Sequence, residues 1–173
     1  MFRRMRRFKQ QISDEECAEI LTRATSGVLG LLGDDGYPYT VPLSFVYKKG
    51  EDGSFGTLSF HCAREGHKVD AVRRNPKVSF TVIDRDEVMP KERTTKFCSV
   101  IVFGTARILE DEDEMRRAAN SLGAKYSGGF EDLYMQETEE TIHAGTLCCI
   151  EVKIDHMTGK IGRQILLERQ RTQ

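Results

Sequence analysis

What this chain lacks narrows what it can be. No apolar run approaches the roughly 20 residues of a membrane-spanning helix, so no membrane partner is expected. The cations near its start (Arg3, Arg4, Arg6, Arg7, Lys9) are not followed by the apolar stretch of a secretory signal, which points to a cytoplasmic protein. Neither sign of charge prevails. There are 26 Lys and Arg against 27 Asp and Glu, and this near balance argues against binding nucleic acid over the whole surface. The five cysteines (Cys17, Cys62, Cys98, Cys148, Cys149) are odd in number and contain no CxxC pair, so they read as reduced thiols used mostly in packing. His61 and His67 have no usual ligand spacing and no Cys or carboxylate cluster beside them, so no metal is expected. Neither a GxGxxG nor a Walker loop occurs, and the strand–helix alternation of a Rossmann fold is missing.

What is present suits one domain: 173 residues, 39% hydrophobic and 31% charged. We divide it into a basic arm (1–12), a domain (13–160) and a polar C-terminal tail (161–173). The arm is either a solvated tail or a strap that neutralises an anionic ligand or reaches a partner subunit. Ser13 with Glu16 forms a capping-box signature, and Cys17, Ile20, Leu21 and Ala24 follow at helical spacing, with Gly27 as the stop. Strands are expected at Val28–Leu32, Tyr39–Tyr47, Thr57–Cys62, Lys77–Asp84, Cys98–Leu109 and Thr146–His156, the last closed by Thr158-Gly159. Asp34-Asp35-Gly36 signals a hairpin. Charge-rich residues 85–96 read as a surface loop. Met115, Ala118, Ala119, Leu122 and Tyr126 form a helical stripe, broken at Gly128-Gly129, and the acidic segment Glu131–His143 reads as partly helical, covering a groove or meeting a partner subunit. Six strands with peripheral helices imply a small antiparallel barrel.

The densest chemistry lies between Phe60 and Phe80. Gly66, His67 and Lys68 fall where a short helix starts. A helix start offers free N–H groups and partial positive charge, which suits a phosphate; the alternative is a solvated loop. His61 ends a strand, where a histidine serves as acid, base or nucleophile, or as a structural residue. Cys62 is adjacent to His61 but points to the opposite strand face, so the two do not form a dyad. Ser99 opens a central strand, either as a ligand contact or as a solvated strand end.

In their order, Val41-Pro42-Leu43-Ser44, Phe60-His61-Cys62-Ala63, Gly66-His67-Lys68, Asn75-Pro76-Lys77-Val78, the run Ser99–Leu109 and Thr158-Gly159-Lys160 resemble the pyridoxamine 5′-phosphate oxidase-like split barrels. Within them the chain is most similar to the nitroimidazole-resistance proteins. The resemblance implies a six-stranded split β-barrel, a two-fold homodimer, and FMN (alternatively FAD) at the dimer interface. It implies that Val41, Pro42, Leu43 and Ser44 line the flavin. Phe60, His61, Cys62 and Ala63 would run along its ring and ribityl chain, Gly66, His67 and Lys68 would hold its phosphate, and Ser99 and Val100 would meet the ring edge. It further implies His61 as the catalytic residue in reducing the nitro group of a small-molecule substrate. True pyridoxamine phosphate oxidases differ: they carry Arg and Lys where this chain has Tyr39 and Ser44, an Arg-Lys pair where it has His67-Lys68, and an Arg-x-His motif absent from residues 161–173. Vitamin B6 oxidation is therefore not expected. Two other functions suit the same fold, flavin storage without catalysis and haem binding, the latter with His61, His67 or His156 as axial ligand.

Overall fold

The computed structural model describes residues 2–51 and 53–171. Helix α1 (Asp14–Arg23) begins at the expected cap. The Ser13 hydroxyl accepts from the Glu16 N–H at 3.2 Å, and the Glu16 carboxylate accepts from the Ser13 N–H at 3.1 Å. The strands are β1 (Gln11–Ile12), β2 (Ser26–Leu32), β3 (Pro38–Ser44), β4 (Val46–Lys48), β5 (Thr57–Cys62), β6 (Lys77–Met89), β7 (Thr94–Ile108) and β8 (Cys148–Ile161). They make one antiparallel sheet in the order β3-β2-β6-β7-β8-β5-β4, with β1 added on β8. The sheet therefore has eight strands where six were expected. The two extra are the shortest, β1 with 2 residues and β4 with 3.

The two ends of that order, β3 and β4, are consecutive in the chain and separated only by Phe45. This link curls the sheet back on itself. The ring of Phe60 on β5 lies 5.2 Å from that of Phe80 on β6, although β7 and β8 stand between those strands in the sheet. Phe45 completes the cluster at 4.8 Å from Phe80. All three are fully buried, each contributing about 1.5–3 kcal/mol by removal from water. The strand expected at Tyr39–Tyr47 is thus two strands, broken where Phe45 turns inward. Helix α3 (Glu112–Tyr126) fastens that break. The Tyr126 hydroxyl accepts from the Phe45 N–H at 2.9 Å, and Lys125 Nζ donates to the carbonyls of Ala24 at 2.6 Å and Phe45 at 3.0 Å. Burial lowers the Lys125 pKa.

Helix α2 (His67–Arg74) packs on β2 and β7, while α3 packs on β5 and β8 and α4 (Glu131–His143) packs on α3. A second apolar cluster, Leu109, Met115, Ala118 and Cys149, joins α3 to the sheet.

Three further expectations change. Residues 85–96 are mostly strand: β6 and β7 continue as a ribbon to a turn at Pro90–Arg93. Most of the ribbon is exposed on both faces, so charge carries no burial penalty there. Thr158-Gly159 does not close the last strand, which continues to Ile161. A Cβ on Gly159 would come within 2.4 Å of Ile12 and 2.5 Å of the Cys17 sulfur, so this glycine permits close packing rather than a turn. The polar tail is a helix, α5 (Arg163–Arg171), held by buried Ile165 and by Lys96–Glu168 and Arg169–Glu16 ion pairs, both at 2.6 Å. The arm also ends in structure, a 3₁₀ turn at Phe8–Gln10 followed by β1.

Candidate functional site

Gly66 caps α2 with φ 127°, a conformation that favours glycine, and no side chain closes the helix start. A Cβ at Gly66 would meet nothing within 4 Å, so space is open beside the first-turn N–H groups. His67 follows, its ring stacked on Tyr39 at 4.1 Å and 15°. Its Nε2 lies 3.5 Å from the Asp34 carboxylate, which also pairs with Arg74. His67 is thus already engaged, and half-buried Lys68 with the helix-start N–H groups is the freer grip for an anion. The loop before α2 is tied down by Arg64, whose Nε donates to the Leu147 carbonyl at 3.0 Å.

At the end of β5, exposed His61 and Ser44 of β3 open into one cavity of about 370 Å³. Its far wall is helical: Leu122 and Tyr126 from α3, Tyr134 and Thr138 from α4. Phe60 and Cys62 flank His61 on the other strand face. Burial, then neighbouring Cys148, pushes the Cys62 thiol up to about 12, with Lys68 opposing, so the thiolate nucleophile is suppressed.

A family model described as pyridoxamine 5′-phosphate oxidase matches residues 13–161. The chain belongs to that family. The search of curated proteins found no match. Among solved structures, the chain is similar to a candidate 5-nitroimidazole antibiotic resistance protein from Bacteroides thetaiotaomicron (24% identity, 87% of this chain and 86% of that one covered, TM-score 0.65). It is also similar to an FAD-binding protein from Mesorhizobium loti (24%, 88% and 96%, TM-score 0.61). A third is the FAD and haem binding protein from Mycobacterium smegmatis (19%, 89% and 74%, TM-score 0.67). At these identities the likeness is one of fold, an antiparallel barrel that in some relatives binds a flavin.

Within this fold the residues picked from the sequence fall into separate places. Ser44 and His61 share the helical cavity. Ala63, Gly66, His67 and Lys68 lie along the loop and the start of α2. Val41 and Leu43 face inward and pack on the core, whereas Pro42 faces a groove on the outside of β2, β3 and β6. Phe60 and Val100 are fully buried, so only their backbone could meet a ligand. Ser99 lines a different cavity, on the outside of β7 and β8. Sequence reasoning did not find Asp34 and Tyr39 as partners of His67, or Tyr134 and Thr138 as cavity walls. Tyr126 was read only as part of a helical stripe, since nothing in its spacing told of its hydroxyl contacts with the Phe45 bend. Among the described residues no helix is long and apolar enough to cross a membrane.

Proposed function

We propose that this chain is a flavin-dependent oxidoreductase that reduces the nitro group of nitroimidazole-like small molecules, with FMN as its cofactor and FAD as the alternative. The open start of α2 carries the reading: an uncapped helix end with room at Gly66 and with Lys68 beside it suits the flavin phosphate. Val41, Pro42, Leu43 and Ser44, with the strand-end residues Phe60, His61, Cys62 and Ala63, would hold the rest of the cofactor. The flavin supplies the electrons when bound. His61, exposed in a cavity walled by Tyr126 and Tyr134, would donate a proton to the reduced nitrogen group, and the helical wall would keep the small substrate oriented and partly dry.

The reading includes a homodimer. Ser99 and the His61 cavity do not meet within one chain, and a second copy would bring one chain's Ser99 and Val100 to the other's flavin. The outer face between them exposes apolar side chains suited to such contact, with Val28 41%, Ile83 67% and Ile101 40% exposed. The test is a visible spectrum of the protein mixed with FMN and freed of excess, followed by anaerobic mixing of a nitroimidazole with a several-fold excess of the reduced protein, because nitro to amine takes six electrons and each reduced flavin carries two. A two-band flavin spectrum and an amine product are expected. Bound flavin without turnover would leave a storage protein, a Soret band would indicate haem, and no bound flavin would overturn the reading.

A further inference from the structure

The flavin reading leaves the basic arm without a task. The Phe2 ring stacks on His156 at 4.5 Å and 11°, and lies 5.6 Å from the ring of Phe103, so the arm is laid along the outside of β7 and β8. Arm and sheet enclose a cavity of about 600 Å³, within the size range of small-molecule sites. Arg3, Arg4 and Arg6 wall it from the arm side, and Ser99, Thr158 and Lys160 from the sheet side; no carboxylate lines it. Several other arginines are matched, Arg23 with Asp84, Arg74 with Asp34, Arg107 with Glu114 and Glu151, and Arg116 with Glu139, while others such as Arg93 and Arg117 stand apart on the surface. Among the described residues, Arg3, Arg4, Arg6 and Lys160 pair with no carboxylate; Arg4 lies over Phe8 and Lys160 over Phe97. Four like charges around one cavity repel each other, and an anion between them relieves that cost.

We propose that this cavity binds the diphosphate and flat base of a nucleotide. Guanidinium groups match phosphate oxygens in paired hydrogen bonds, and the hydroxyls of Ser99 and Thr158 suit the sugar or a phosphate oxygen. Phe2 is pinned on His156 by one face and is 47% exposed, which leaves a ring surface on which a base can stack. The site shares Ser99 alone with the flavin set and does not depend on Gly66–Lys68. Its chemistry is that of adenosine diphosphate, which occurs in FAD and in the nicotinamide dinucleotides.

Calorimetric titration of the full chain with ADP tests it. Saturable binding is expected, weakening as salt is added, because exposed charges are screened within about 10 Å at 0.1 M. The combined Arg3→Gln, Arg4→Gln and Arg6→Gln variant is expected to bind ADP about tenfold more weakly or worse. Phe2→Ala is expected to weaken ADP but not inorganic pyrophosphate. If the triple variant does not fold, as judged by circular dichroism, the salt series and Phe2→Ala decide. A preference for FAD over FMN that the triple variant loses identifies the flavin's own adenylate end; the same loss for NADPH identifies a separate electron donor. Absence of ADP binding, or unchanged affinity in the triple variant, overturns the proposal. So does capture of the arm by anionic lipid vesicles with no response to ADP. Loss of FMN binding with ADP binding intact would instead count against the Gly66–Lys68 reading alone.

Discussion

Leu43 and Ser44 are consecutive on β3, Phe60 and His61 on β5, and Ser99 and Val100 on β7. In each pair one residue packs toward the barrel interior and the other faces out. The inward members are apolar: Phe60 and Val100 are fully buried, and Leu43 is half-buried against the core. The outward members are polar and border concave surfaces. The period of two along a strand thus divides the labour, and each interior residue sets the position of the candidate site residue next to it. The inner face should respond to mutation in stability and the outer face in binding and turnover.

The largest effect is expected inside. Phe60→Ala should lower stability by about 3–5 kcal/mol in urea unfolding, because the rings of Phe45 and Phe80 cannot both close the cavity. A loss below about 1 kcal/mol would show that the aromatic cluster does not hold the barrel. One residue along, His61→Ala should leave stability within about 0.5 kcal/mol and retain FMN, yet slow nitro reduction about 100-fold. Full turnover would place the proton donor elsewhere and erase the contrast on β5. Lys68→Ala should weaken FMN binding by about 1–2 kcal/mol in a fluorescence titration, the range for a charge-assisted hydrogen bond. Unchanged affinity would remove Lys68 from the site.

The smallest effect concerns outward-facing carboxylates. The Thr105 hydroxyl, donating at 2.8 Å, and then Lys77 hold the Asp155 pKa below its usual range. Its folded pKa is depressed, so its contribution to stability is fully present above the unfolded pKa and is lost as pH falls through the folded value. Thr105→Val should lower stability slightly at neutral pH, leave it little changed below the folded pKa, and so flatten the acid limb of a stability–pH curve. An identical acid limb would mean that this contact contributes nothing.

The strands were legible from their density of β-branched and aromatic residues, as in the run from Ser99 to Leu109, but the wet face of that run was not, because outward Ile101 and Phe103 are as apolar as inward Val100 and Val102. Other features were hidden where a different constraint acted. Beyond the barrel, β6 is exposed on both sides and β7 is only half-buried from Thr94 to Phe97, so residues 85–96 show charge without alternation and resemble a loop. Gly159 looked like punctuation because a sequence does not show that Ile12 and Cys17 crowd it from another element. Phe45 sits between Ser44 and Val46 with no signal that the sheet changes edge there. The helix start at Gly66 was legible from local chemistry. Asp34, which competes for His67, was not, because it comes from a turn more than thirty positions away.

The place of β8 in the sheet has a consequence for how the chain is made. It is the last strand in chain order, yet it lies between β7 and β5 and also carries β1. While the polypeptide is being synthesised, β6 and β7 can pair with β2 and β3 as soon as they emerge. The β4–β5 segment, with Leu58 and Phe60, has no neighbour in the sheet until residues 148–161 leave the ribosome. For that interval its apolar face is exposed, and protection must come from chaperones or from the speed of translation.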